Sequence, residues 1–246
     1  MEKPASKPKF RLDDITTEWS IIHDPAQFVM RYAPAIQRYL AALVRARHDA
    51  EDVTQNFFLR VVQHGFLRAR QERGRFRDYL KTAVRNAALN FLSRKPAVKV
   101  SPLAGGLAVA DPAQHTADRE WVAQWRRCVL ARAWNALKRH QRRSPGNLFY
   151  TALRLAVEHP AADAEALAAR AGRAAGRTVR ADAFRKQLSR ARYQFAQFLV
   201  DEVAQTLDFP TPEQVEEELI DISRWKYVRQ YLPADWRTRG KLAPPK

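Results

Sequence analysis

The stretch DAEDVTQNFFLRVVQHGFLRARQERGRFRDYLKTAVRNAALNFLSRK, residues 49–95, contains two amphipathic patterns that predict helices of opposite electrical character. The first helix, about Ala50 to Gln63, begins with acidic residues and carries two adjacent phenylalanines. The second, about Phe76 to Ser93, begins among arginines. From Leu59 to Lys95 there are ten Lys or Arg and only two acids. We interpret the first helix as a surface for a protein partner and the second as a surface for nucleic acid.

Helical periodicity separates a packing face from an outer face in both segments. In the first, Val53, Phe57 and Val61 share one face. In the second, Lys81 and Arg85 lie opposite an apolar face and Arg77 lies on its flank; that apolar face is formed by Phe76, Leu80, Ala83, Val84, Ala87 and Phe91. Outward cations can hold phosphates, and Phe76 and Tyr79 are expected to be able to reach the surface and stack on unpaired bases. The pattern leaves one alternative open, the solvated face of an ordinary helical domain.

The charge of the whole chain favours a polyanionic partner. Its 246 residues carry a formal net charge of +17, and the isoelectric point is near 10.5. A charge of this size governs association and non-specific binding, not the fold. DNA or RNA is therefore the expected partner. A membrane surface is the weaker alternative, because the basic residues form no juxtamembrane cluster.

The residue types that catalysis or metal binding requires are not grouped in this sequence. The six histidines are scattered, and the single cysteine, Cys128, excludes an intrachain disulfide and a cysteine-rich zinc site. Cys128 is expected to be a small buried hydrophobe. No phosphate-binding loop, nucleophile elbow or apolar run of membrane-spanning length occurs. We therefore expect a cytoplasmic binding protein that is not an enzyme, needs no cofactor or metal, and does not bind a membrane.

The remaining segments predict an all-α fold of two small helical domains joined by a flexible linker. Residues 1–18 are expected to lack fixed structure, and residues 19–95 to form the first domain. Residues 96–118, rich in proline and glycine, read as the linker. Residues 119–209 form the second domain, and residues 210–246 are a C-terminal extension.

Periodicity and helix-ending residues give the approximate bounds of the other helices. They are about Ala26 to Arg47, with Asp24 as the cap and Pro34 as a candidate kink; Arg119 to Arg142; Phe149 to Val157; Asp163 to Ala171, ended by Gly172; Ala181 to Leu207; and an acidic helix after Pro212. The tail beyond it contains Trp225, Tyr227, Tyr231 and Trp236. We expect this tail to dock on a domain or to bind a regulator.

A short helix, the turn GRAAGRTVR at residues 172–180 and a long helix from Ala181 predict a helix-turn-helix, whose second helix can enter a major groove. Its packing face is formed by Phe184, Leu188, Ala191, Phe195 and Leu199. Lys186, Ser189 and Arg190 lie on or near the opposite face, with Arg185 to the side. A long structural helix without a DNA-binding role is the alternative.

Together, DAEDVTQNFFLRVV, RGRFRDYLKTAVRNAALNFLSRK, EALAARAG and ADAFRKQLSRARYQFAQFLVDEVAQTL carry a resemblance to a known family. The first two segments resemble the first conserved domain of bacterial RNA polymerase sigma factors, and are similar to the small two-domain extracytoplasmic-function type. The last two resemble that type's second domain. The resemblance covers roughly Phe28 to Leu207 and implies core RNA polymerase and promoter DNA as partners, with an anti-sigma factor as a further candidate.

Roles for individual residues follow from the resemblance alone. It implies contacts with the polymerase clamp helices from Asp52, Gln55, Asn56, Phe58 and Leu59, where Asn56 stands in place of the family's usual acid. It implies contacts with the minus-ten promoter element from Arg73, Arg75, Arg77, Tyr79, Lys81, Arg85 and Asn86. It implies contacts with the minus-thirty-five element from Arg180, Arg185, Lys186, Ser189 and Arg190.

Two other interpretations remain at this point. A stand-alone helix-turn-helix regulator of DNA or RNA would need no polymerase, and the acidic, aromatic first helix counts against it. A nucleic-acid enzyme would need a metal or nucleophile cluster, and the sequence offers none.

Overall fold

The computed structural model describes residues 25–44, 46–64, 75–94, 112–144, 146–207, 210–232 and 236, and these residues form helices and turns without a strand, which confirms the all-α prediction. The helices are α1 Pro25–Leu43, α2 Arg47–His64, α3 Phe76–Leu92, α4 Pro112–Arg143, α5 Phe149–Glu158, α6 Ala164–Ala175, α7 Ala181–Ala204, α8 Pro212–Asp221 and α9 Trp225–Val228, followed by the 3-10 turn Arg229–Tyr231. No helix among them is both long and apolar enough to cross a membrane.

Contacts divide the described residues into two units. The first unit comprises the described residues up to Cys128, with residues 205–207 and 210. The second comprises residues 129–204, the described residues from 211 to 232, and Trp236. Trp121 and Trp125, which the sequence assigned to the second domain, therefore lie in the first unit. The expected disordered N-terminus, residues 1–18, and most of the expected linker lie outside the described residues.

Several helices begin or end at residues other than those that the pattern indicated. α4 begins at Pro112 instead of Arg119, so the end of the expected linker is helical; proline suits the first turn of a helix because it needs no backbone donor there. α2 begins at Arg47, three residues before the predicted Ala50, so Asp49 lies inside its first turn. The predicted cap Asp24 lies outside the described residues.

An aromatic cluster forms the core of the first unit. Tyr32 of α1 stacks on Trp125 of α4, with ring centroids 5.0 Å apart and ring planes 8° apart. Phe76, at the start of α3, contacts Tyr32 at 5.4 Å and Trp125 at 6.4 Å. Two turns further along α1, Tyr39 packs against Trp121, one turn earlier in α4, at 5.2 Å. The cluster thus joins α1, α3 and the first half of α4, and such aromatic pairs contribute about 0.5–1.5 kcal/mol beyond area burial.

α2 completes the first unit through the face that the sequence predicted. Val53, Phe57 and Val61 are buried, while Phe58 is half-buried and contacts Phe57 edge to face at 6.1 Å. Thr54 also lies inward, and its hydroxyl donates a hydrogen bond of 2.7 Å to the Ala50 carbonyl. The opposite face of α2 is left to solvent.

The second unit is built around α7. α5, α6 and α7 meet at a cluster of buried residues, Ala152, Leu167, Ala168, Ala171 and Phe184. The second half of α4 covers another side of this unit, because Trp134 packs against Tyr150 at 5.8 Å and against Phe195 at 4.9 Å. Arg132 of α4 forms a largely buried ion pair with Glu202 of α7, with Nε 2.6 Å from Oε2.

The prediction that Gly172 ends the helix before the turn is wrong. α6 runs on to Ala175 and ends at Gly176, whose φ of 63° is the left-handed conformation that glycine adopts readily. Gly172 has a different role, because a Cβ there would lie 2.7 Å from the Arg177 carbonyl oxygen. Glycine therefore allows the backbone of the turn to approach α6, and the connection to α7 is restricted to residues 176–180.

The C-terminal extension packs on α7, which agrees with the first of the two roles considered for it. Tyr227 lies 6.2 Å from Phe195, and Tyr231 lies 5.6 Å from Tyr193. Thr211 begins α8 with a capping box, in which its hydroxyl accepts from the Gln214 amide and the Gln214 side chain accepts from the Thr211 amide. The extension is thereby part of the second unit.

We expect Trp125→Ala to reduce the free energy of unfolding by about 3–5 kcal/mol, because the substitution leaves a cavity where three aromatic rings meet. Urea denaturation followed by circular dichroism measures the change. Met30→Ala is the matched control: Met30 is 85% exposed on α1, so its substitution should alter stability by less than about 0.5 kcal/mol. Equal effects of the two substitutions would contradict the proposed core.

Asp201 on α7 introduces a pH dependence into the second unit. Burial raises the pKa of its carboxyl to about 7, and the charge of neighbouring Glu202 adds to the shift. A raised carboxyl pKa means that folding favours the protonated form. The stability associated with the protonated Asp201 carboxyl is therefore fully present below the ordinary carboxyl pKa, near 4. It is lost as the pH rises through about 7.

Asp201→Asn should accordingly stabilise the protein at pH 8 by roughly 1–3 kcal/mol and leave it unchanged near pH 4. Urea denaturation at the two pH values measures this difference. Asp182→Asn removes an exposed carboxyl from the same helix and should give no gain at pH 8. A gain for Asp201→Asn that is equally large at pH 4 would show that its cause is packing, not ionisation.

Candidate nucleic-acid interface

The outer face of α2 carries the five residues for which polymerase contacts were predicted. Gln55, Asn56 and Leu59 are exposed, and Asp52 and Phe58 are half-buried. Leu59 is 53% exposed and the neighbouring Val62 is 55% exposed. Two apolar side chains beside a polar amide form a surface suited to a protein partner, because docking would remove their apolar area from water.

Local hydrogen bonds reduce the polar groups that this face can offer. The Asn56 side-chain amide donates 2.9 Å to the Asp52 carbonyl oxygen of its own helix. The Asp52 carboxylate lies 3.7 Å from His48 Nε2, so the two form an ion pair when the histidine is protonated. Gln55 and Leu59 have no such partner among the described residues, which makes them the more available contacts.

α3 does not present all of the predicted minus-ten residues to solvent. Asn86 is exposed, and Arg75, Tyr79, Lys81 and Arg85 are half-buried. Arg77 is only 6% exposed, and its Nε lies 3.7 Å from Asp78 Oδ1. Its guanidinium is therefore covered by protein, although helical periodicity placed it on the flank. Arg73 lies outside the described residues.

Phe76 does not reach the surface, so the prediction that it could stack on a base is wrong. It is 3% exposed and belongs to the aromatic cluster with Tyr32 and Trp125. Tyr79, by contrast, remains half-exposed on α3, and partial burial raises the pKa of its hydroxyl. At neutral pH this phenol stays protonated and can donate a hydrogen bond.

Asp118 is a site residue that the sequence pattern does not predict. Its Oδ2 lies 2.9 Å from Lys81 Nζ, and its Oδ1 accepts a hydrogen bond of 3.3 Å from the Tyr39 hydroxyl. Burial raises the pKa of Tyr39, Asp118 adds to the shift, and Arg85 opposes it. The predicted DNA-contacting cation Lys81 is thus paired with a carboxylate from α4, and Arg85 lies near the same Tyr39 hydroxyl. Nothing in the local sequence connects two residues so far apart in the chain.

A second unpredicted feature is a groove of about 310 Å³ between α2 and α3. Asn56 and Arg60 line it from α2, and Asn90 of α3 and Arg94, in the turn after α3, line its other side. Phe57 and Phe91 add aromatic surface. Acidic residues are absent from its lining, so this part of the first unit is positively charged beyond the residues that were predicted.

In the second unit, all five residues predicted for the minus-thirty-five element are exposed. Lys186, Ser189 and Arg190 follow one another along α7, with Arg185 beside them and Arg180 in the preceding turn. Arg180 Nη2 lies 3.3 Å from Asp182 Oδ2. Phe184, Ala191 and Phe195 are buried on the opposite face, as predicted. The described residues contain no group of three His, Cys, Asp or Glu side chains that could hold a metal ion.

Residues 28–97 match the family model of sigma-70 region 2. This segment is similar to sigma-70 region 2. The match covers α1 from Phe28 onward and the whole of α2 and α3, and it ends before α4; it supports a sigma-70 family factor with a role in transcription initiation. No curated protein and no solved structure matches the chain. The similarity thus covers the α2 and α3 surfaces, whereas Asp118, Trp121 and Trp125 lie beyond the matched residues.

Proposed function

We propose that this chain is a sigma factor of the extracytoplasmic-function type, which binds core RNA polymerase and directs promoter recognition and opening. The observation that carries the proposal is the similarity of residues 28–97 to sigma-70 region 2, on a segment where Gln55 and Leu59 are exposed on one helix and cations lie on the next. The role is one of binding, and the chain itself carries out no chemical step.

The two helices α2 and α3 of the matched segment bind different partners. α2 docks on the polymerase through Gln55 and Leu59, with Asp52, Asn56 and Phe58 around them. α3 meets the opened minus-ten strand, where Lys81, Arg85 and Arg75 hold phosphates and Asn86 and Tyr79 reach bases. Arg77, because it is buried, acts by shaping the start of α3.

The second unit contributes duplex recognition. α6, the turn at residues 176–180 and α7 form the helix-turn-helix, and α7 enters the major groove of the minus-thirty-five element. Arg185, Lys186, Ser189 and Arg190 are the contacting side chains, and Arg180 contacts a phosphate before the helix begins. Because many of these contacts are to phosphates, DNA binding should weaken steeply with salt.

Co-purification with core RNA polymerase, followed by run-off transcription on a promoter library, tests the proposal. We expect a stable complex at moderate salt and transcripts that start at a common promoter sequence. Failure to bind polymerase would contradict the proposal. Specific DNA binding in the same preparation would then identify the chain as a stand-alone regulator.

If α2 binds polymerase and α3 binds DNA, substitutions in the two helices should cause different defects. Gln55→Ala with Leu59→Ala should raise the dissociation constant for core polymerase roughly 10-fold or more, because it removes the centre of the docking surface. Lys81→Gln with Arg85→Gln should leave this constant unchanged and reduce open-complex formation on the order of 10-fold, because two phosphate contacts are lost. Fluorescence anisotropy and permanganate footprinting measure the two effects.

Arg38→Gln with Arg47→Gln is the matched control for charge, because it removes two exposed cations from α1 and α2. It should leave polymerase binding and promoter opening close to the wild-type values. Thermal melting shows whether each variant is folded. If the α2 and α3 variants lose the same step, the assignment of one helix to each partner is wrong.

Asp118 should compete with DNA for Lys81. Asp118→Asn removes this competition, so we expect polymerase loaded with the variant to bind a single-stranded minus-ten oligonucleotide about 1.4- to 5-fold more tightly, the range allowed by a partly exposed ion pair of about 0.2–1 kcal/mol. The same substitution in a Lys81→Gln background should have little effect. An equal gain in both backgrounds would refute a direct competition.

A further inference from the structure

We propose that the outer face of the second half of α4 is a phosphate-binding surface for duplex DNA. This surface, the α4 basic stripe, consists of Lys138, Arg139, Arg142 and Arg143. It is separate from the α7 residues to which DNA contacts are assigned above, and the inference rests on the proposed DNA-binding function of the second unit.

The charged residues in the second half of α4 are all basic. Residues 129–143 contain five Lys or Arg and no Asp or Glu. Arg132 points inward, where its Nε lies 2.6 Å from Glu202 Oε2. The four residues of the stripe are exposed, and no acidic side chain among the described residues forms an ion pair with them. The stripe is therefore a concentration of positive charge that the fold itself does not neutralise.

Packing of α4 does not require Arg139, Arg142 or Arg143 of the stripe. The inner side of the helix carries Leu137, which is fully buried, and Gln141, whose Oε1 accepts a hydrogen bond of 2.9 Å from the Thr151 amide. His140 stacks on Phe149 at 5.7 Å. Within the stripe, Lys138 contacts an aromatic ring, with Nζ 5.6 Å from the centre of Tyr150. These inward residues hold the helix in place, and the stripe lies on the remaining surface.

Helix stability does not explain the stripe either. Lys138 and Arg142 are four residues apart, as are Arg139 and Arg143, and like charges at this spacing destabilise a helix. Cations favour the last turn of a helix through its dipole, but only Arg142 and Arg143 of the stripe lie in that turn. A polyanion bound along the stripe would turn four repelling charges into attractive contacts, and each phosphate that they neutralise would release a counterion.

The position of the stripe points to DNA as the polyanion. α4 leads into a turn where the Gly146 carbonyl accepts a hydrogen bond of 2.8 Å from Arg177 Nη2, and the Leu148 amide donates 3.2 Å to Gln187 Oε1. Arg177 belongs to the turn before α7, and Gln187 belongs to α7 itself. The end of the stripe is thereby fixed beside the first turns of the proposed recognition helix, where a bound duplex continues past the bases that are read.

The salt dependence of duplex binding tests the proposal without polymerase. The full chain is titrated against a fluorescent duplex at several KCl concentrations, and log Kd is plotted against log[KCl]. Arg139→Gln with Arg142→Gln should lower the slope by about 1.8, which is about 0.9 for each lost phosphate contact. Affinity near 0.1 M KCl should fall roughly 10-fold or more, by the same factor for a promoter duplex and a scrambled duplex, because phosphate contacts do not read sequence.

Lys226→Gln with Arg229→Gln is the matched control, since it removes two exposed cations from the C-terminal part of the same unit. Its slope should stay at the wild-type value. An equal fall for both variants would overturn the proposal, because net charge would then be the cause. A melting temperature of the stripe variant at or above the wild-type value would show that the loss does not come from unfolding.

Two further outcomes would overturn the proposal. One is a wild-type chain that shows no salt-dependent binding to duplex DNA. The other is a stripe variant that keeps its DNA slope and loses affinity for core polymerase, which would make the stripe a protein-docking surface. If the chain binds duplex through the stripe but directs no transcription, this inference stands and the proposed sigma function is wrong. If the chain directs transcription but the stripe variant has the wild-type DNA slope, the sigma function stands and this inference is wrong.

Discussion

The stacking of Trp125 on Tyr32 is the interaction on which the first unit depends. The two rings lie 5.0 Å apart and nearly parallel, and Phe76 contacts both. Because Phe76 begins α3, the aromatic cluster fixes the start of the helix that carries the cations. Once that face is buried, the helical repeat leaves Lys81, Arg85 and Asn86 on the more open sides. The aromatic core thus determines which residues of α3 can meet a nucleic acid.

The same packing explains why Asp118 lies beside a lysine of α3. Asp118, Trp121 and Trp125 follow one another at spacings of three and four residues, so they share one face of α4. When the two tryptophans pack into the cluster, the carboxylate is carried to Lys81 and to the Tyr39 hydroxyl. A segment beyond the part that is similar to sigma-70 region 2 therefore both completes the core and lowers the charge of the basic face.

The sequence predicted the helices well, but it did not predict which residues from other segments pack against them. Periodicity identified the buried side of α2, and it placed the start of α3 at Phe76, because both depend on residues close together in the chain. It could not show that Phe76 would be enclosed by Tyr32 and Trp125, since those rings come from distant segments. Gly172 was predicted to end a helix. The structure instead requires glycine there because a Cβ would lie 2.7 Å from the backbone of the turn before α7. All-α architecture follows from local pattern, whereas an Asp118–Lys81 pair follows only from tertiary packing.

The C-terminal extension limits how much of α7 can contact another molecule. Tyr231 packs against Tyr193, and Tyr227 packs against Phe195, so the middle turns of α7 are partly covered. Burial raises the pKa of Tyr227 to about 12, with Tyr231 adding to the shift and Arg192 opposing it, so the phenol stays neutral within the contact. Arg185, Lys186, Ser189 and Arg190 lie before the covered turns and remain exposed. A ligand of α7 must therefore approach its first half, beside the Gly146–Arg177 hydrogen bond where α4 ends.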